Sequence, residues 1–205
     1  MLVKDASDFP SSGVLDENTY YEINGTINLT ASLNLNNAYV SGLDANEDVL
    51  SFPGGTVFAG NTGGSIRNIK IKGAKAFEIT GPGIASSSSL LVQNTIIDGM
   101  TDSVGSISGL GLYFGNIVQF IENTDGITYS NIGNLLLNNQ AWLNNNGGTY
   151  ETFTGTFNLI QKISGFSQVV GATAGVDITG ITNIIGDAVM KSVVFSGGGN
   201  YINGN

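Results

Sequence analysis

The chain has 205 residues, 41% hydrophobic and only 11% charged, with 30 glycines and a net charge of −9 from 16 acids against seven bases. That length supports one domain with a sizeable core, and the composition excludes a disordered tail and a Lys/Glu-rich helical bundle. The acidity argues against a nucleic-acid surface, which needs a basic face to neutralise phosphates. With no cysteine and no histidine, disulfides, thiolate metal sites and Ser-His triads are out of reach.

Residues 1–20 read as a lead-in that caps the fold. Asp5 to Asp8 can start a short helix, which Pro10 and Ser11-Ser12-Gly13 end quickly. The N-terminus lacks the apolar core of a signal peptide, and no apolar run is long enough to span a bilayer, so the expectation is no membrane partner. From Tyr20 the apolar positions Tyr21, Ile23, Ile27, Leu29, Leu33 and Leu35 mark short strands broken at Asn24-Gly25 and Asn36-Asn37. Pro53-Gly54-Gly55 and Gly60 to Gly64 are turns.

The stretch Gly64 to Gly73 alternates Ile69 and Ile71 with Lys70 and Lys72, the period of a strand with one buried face. Related units recur at Leu91 to Gly99, Leu159 to Gly165 and Ile181 to Gly186. Setting Gly73 on Gly99 places Ile71 over Ile97 and Lys72 over Asp98. Gly99 on Gly126 then places Asp98 over Asp125, and Gly165 goes on Gly186. Ile84 to Ser89 reads as an outer loop. The middle, from Leu110 to Tyr150, is the most apolar part and includes Leu135-Leu136-Leu137. Its separators are Asn138-Asn139, Asn144-Asn145-Asn146 and Gly147-Gly148, because asparagine tolerates left-handed corners and can hydrogen-bond along a stack. Val193-Val194-Phe195 reads as the last strand. Residues 196–205 are a tail, or a strand that contacts a partner.

These units, with Tyr21 to Ile27, resemble the right-handed parallel β-helix of the pectin-lyase-like superfamily over about residues 21–195. The resemblance implies an all-β solenoid of roughly seven to eight irregular coils, about 35–40 Å long. Members include polysaccharide lyases and hydrolases, and spikes and fibres of tailed bacteriophages. It therefore leaves three functions open. The leading expectation is a non-enzymatic structural protein of a virion, working as a homotrimer beside other virion proteins. The alternative is a protein that binds or degrades a bacterial surface glycan. A cell-surface adhesin is a third option.

Arg67, Lys70, Lys72 and Lys75 put four of the seven bases within nine residues. They form either a charge ladder on the outside of the coils or a contact for an anion or acidic sugar. Trp142, the sole tryptophan, suits either packing or a sugar platform. The acid clusters lie mostly at turns, so no catalytic residue is assigned. Asp44 to Asp48 lacks the glycine and final glutamate of an EF-hand, so no metal and no cofactor is expected.

Overall fold

In the computed structural model, which describes residues 1–143 and 145–204, the chain is all-β and winds into a parallel β-solenoid of about eight turns. Each coil runs through three walls, and among the described residues every strand pairing between coils is parallel. The first wall stacks Tyr20–Ile23, Tyr39–Ser41, Gly64–Arg67, 89–93, 112–116, 134–138, 159–163 and Ala188–Lys191. The second runs from Thr26–Asn28 to Val194–Ser196. The third ends at Asn200–Asn203.

The period-two pattern is the reason the strands form, and three inward columns make the core. Tyr21, Val40, Ile66, Val92, Gly115, Leu137, Lys162 and Met190 lie in register on the first wall. On the second the column is Ile27, Leu50, Ile71, Ile97, Phe120, Trp142, Ser167 and Phe195. The third carries Phe58, Phe77, Gly105, Ile127, Glu151, Val176 and Ile202. Like residues therefore stack on like, and Phe120, Trp142 and Tyr150 form a continuous aromatic pile with centroids 3.9 and 4.9 Å apart.

The corner between the first and second walls needs one left-handed residue per coil. Asn68, Asn94, Ile117, Asn139, Ser164 and Ser192 all supply it, with φ between 47° and 57°. Asparagine suits the position on two counts: its backbone tolerates the geometry, and its side chain continues the stack, as Asn94 Nδ2 does by donating to Asn68 Oδ1 at 2.9 Å. Ile117 has neither advantage, being β-branched at φ 57° and 44% exposed. Ile117→Asn is expected to raise stability by about 1–2 kcal/mol, read as a higher denaturant midpoint with an unchanged slope.

The register Ile71 over Ile97 holds, and Lys72 pairs with Asp98 across one coil at 2.8 Å. The next two steps differ from the glycine alignment. Asp98 sits over Ile121, not Asp125, and Phe166 pairs with Val194, so Gly165 does not stack on Gly186. Coil lengths run from 19 residues, Tyr20 to Tyr39, to 28, Gln161 to Val189. The physical reason is that glycine serves several corners. Gly99 turns from the second wall to the third with φ 67°, whereas Gly126 is pressed against the Thr149 and Tyr150 carbonyls.

Residues 1–19 add a partial coil. Leu2–Val3 pairs with the first wall, a 3-10 turn at Ala6–Asp8 crosses over, and Val14 bridges to Asn34. Val3, Phe9 and Leu15 close that end of the core, with Phe9 against Tyr21 at 5.8 Å. At the other end Asn200–Asn203 is the last strand, paired with 174–177, so the run after Phe195 is not a free tail. Met190 and Ile202 stand in core columns yet are 41% and 46% exposed, because no coil covers them. Asn144 of the asparagine separator and Asn205 of the tail lie outside the described residues.

Candidate functional site

The solenoid disperses the basic cluster. Arg67 projects from the first wall, Asn68 turns the corner, Lys70 and Lys72 project from the second wall, and Lys75 lies at the third. Ile69 and Ile71 between them are fully buried. Lys72 pairs with Asp98, and Lys75 with Glu78 at 2.7 Å and Asp102 at 3.5 Å. The hydrogen bond from Lys75, helped by one from Thr56, holds the Glu78 carboxyl below its ordinary value. Such exposed pairs contribute about 0–1 kcal/mol each and make a charge ladder.

Arg67 differs from these lysines. Its Nε donates to Ser65 Oγ at 3.1 Å, and no carboxylate pairs with it among the described residues. It lines a hollow of about 270 Å³ with Asn18, Asn37, Tyr39, Ser65 and Leu91. Tyr39 and its neighbour in register, Tyr20, are 46% and 47% exposed. A free guanidinium beside an exposed aromatic ring and two amides can hold a planar anion against an apolar face. Tyr39 was not singled out from sequence. Its signal was its parity, opposite to the buried Val40.

Trp142 leaves the candidate surface. It is fully buried, both ring faces are covered by Phe120 and Tyr150, and its Nε1 donates to Glu151 Oε1 at 3.3 Å. No ring face remains for a sugar. Asp48 is likewise committed to structure, accepting from Gly25 N at 2.7 Å, Leu43 N at 2.7 Å and Asp44 N at 3.0 Å. Burial pulls its carboxyl up, but the three amides together hold it below the usual value. No group of three or more metal-ligating side chains occurs among the described residues.

The outer faces of the walls divide by chemistry. The central outward column of the first wall reads Tyr20, Tyr39, Ser65, Leu91, Phe114, Leu136, Gln161 and Val189. On the third wall it reads Ala59, Glu78, Ser106, Thr128, Thr152, Asp177 and Asn203. One wall presents an apolar ridge and the other a polar face.

Comparison with known proteins adds no relative: no family model, no curated protein and no solved structure matches this chain.

Proposed function

We propose that the protein is a non-enzymatic structural rod of the kind tailed bacteriophages build into spikes and fibres, working in the virion as a homotrimer whose first walls face a common axis. The observation that carries this reading is the apolar ridge on the first wall, set against a third wall whose outward column is polar from Glu78 to Asn203. A monomer would leave Leu91, Phe114 and Leu136 facing water in one continuous line, and contiguous apolar patches of this kind mark interfaces. A three-fold axis parallel to the rod brings each ridge residue to its own copies at the same height. At about 4.8 Å per coil and 17 Å of wall width, three copies sheathe about 2,000 Å² in all, within the range of stable assemblies.

Mass photometry of the purified chain is expected to give the trimer, and Phe114→Asp the monomer with an unchanged circular-dichroism spectrum. A wild-type monomer at high concentration would overturn the assembly. The virion assignment rests on the resemblance of the coil units to phage spikes. It predicts capsid or tail genes beside this one, and neighbours for polysaccharide breakdown would count against it.

A second reading, glycan binding, is favoured by the hollow around Arg67 and Tyr39. On a panel of bacterial surface glycans, an acidic glycan is expected to bind the wild type and to lose at least tenfold in affinity with Arg67→Ala. Equal binding by that variant removes the site. The two readings compete for the first wall: Tyr39, Ser65 and Leu91 line the hollow and also stand in the ridge, so a trimer packed on that wall closes the site.

A further inference from the structure

The core contains one feature that its pattern does not call for. Lys162 and Glu151 occupy inward positions, with Leu137 and Met190 above and below one, and Ile127 and Val176 above and below the other. Their side chains are 1% and 0% exposed, and Lys162 Nζ lies 2.8 Å from Glu151 Oε2 and 3.0 Å from Oε1. Glu151 is the sole hydrogen-bond acceptor of that ammonium among the described residues, and Trp142 Nε1 is the other donor to the carboxylate. The Tyr113 and Tyr129 hydroxyls are also buried without partners among the described residues; burial raises the pKa of both, and the charge of Glu151 adds to it. A buried ion pair with so few supporting hydrogen bonds is a costly way to fill an apolar core.

We propose that Lys162 and Glu151 are joined by a covalent side-chain amide that the folded chain forms by itself, a modification site inside the solenoid independent of its assembly. The reacting groups are in contact and held by strands on both sides, the arrangement in which intramolecular reactions reach effective concentrations of about 10⁵–10⁸ M. One ammonium proton passes across the 2.8 Å contact to Oε2, leaving an amine beside a carboxylic acid. The Nζ lone pair attacks Cδ, and the electrons of the C=O bond move onto Oε1, where the Trp142 N–H stabilises them. The Cδ–Oε2 bond then breaks. Oε2 leaves as water, carrying the acid proton and a second proton from Nζ, and a planar amide with a C–N bond of about 1.33 Å remains. The balance is ammonium plus carboxylate to amide plus water, with no oxidant and no co-reactant. A cavity of about 200 Å³, lined by Phe153, Ile160, Lys162, Val189 and Met190, lies beside Lys162 at the uncovered end and gives the water a way out.

Intact-mass spectrometry of the full chain under denaturing conditions tests this. The wild type is expected to weigh one water less than its sequence. Trypsin is expected to spare the bond after Lys162 and to release residues 76–191 as one peptide, lighter by one water and closed into a loop between Glu151 and Lys162. Lys162→Met and Glu151→Ala are expected to return the full sequence mass. In Trp142→Phe, which keeps the stack but loses the N–H, the lighter species is expected to accumulate more slowly after refolding. A folded wild type at full sequence mass, cleaved normally after Lys162, overturns the proposal, as does a lost water that maps to another pair. Because the decisive measurement uses the wild type, a variant that fails to fold does not blur the result.

Discussion

Trp142→Ala is expected to cost about 3–5 kcal/mol and to lower the melting temperature by about 6–20 °C. The indole is the middle of the aromatic pile, 3.9 Å from Phe120 at an interplanar angle of 6° and 4.9 Å from Tyr150 at 11°. Removing it opens a void on two coils at once, and the flanking rings cannot close it because the backbone ladders fix them at the coil spacing. The substitution also takes the indole N–H away from Glu151. Trp142→Phe keeps most of the stack and is expected to cost only about 1–2 kcal/mol. Calorimetry of the two variants separates packing from the hydrogen bond. A loss below about 1 kcal/mol for Trp142→Ala would show that the pile does not support the core.

Asn123→Ala is expected to be nearly as severe, at about 3–5 kcal/mol, although it removes no apolar surface. Asn123 Oδ1 accepts from Met100 N at 3.0 Å, and its Nδ2 donates to Ile97 O at 3.2 Å and to Asn146 Oδ1 at 2.9 Å. Asn146 continues the ladder by donating to Phe120 O at 2.9 Å and Leu143 O at 2.7 Å. Asn123 and Asn146 are each 1% exposed, so water cannot replace the lost side chain. The Met100 amide would be left unpaired, at about 1–3 kcal/mol, and the Ile97 carbonyl and the Asn146 side chain would each lose a bond worth about 1 kcal/mol. Urea denaturation is expected to show a lower midpoint, and hydrogen exchange at Met100 should rise first. A near-neutral result would mean that the corner rebuilds around a water.

The alternation in Gly64 to Gly73 carried the strand, its buried face and the first coil step, because the parity of Ile69 and Ile71 is a local property. The later steps were not legible. A glycine at a left-handed corner and one pressed against a carbonyl look alike in sequence, as Gly99 and Gly126 do. The pairing of Lys72 with Asp98 was legible, but the spread of the basic cluster was not: nine residues of a solenoid cross three walls, so sequence neighbours point in different directions. Trp142 and Lys162 were legible by parity. Each shares its strand side with a buried residue, Gln140 or Ile160, and the polar character of lysine hid that signal. The apolar ridge emerges only after registration, because Leu91, Phe114 and Leu136 are separated by whole coils.

The two ends of the rod are unlike, one closed by Val3, Phe9 and Leu15 and the other open at Met190 and Ile202. This gives coil stacking a direction. Early coils can finish while later residues are still being synthesised, and each new coil is then templated on a completed edge. A chain stacked in that order would pass through shorter rods, each with one reactive edge.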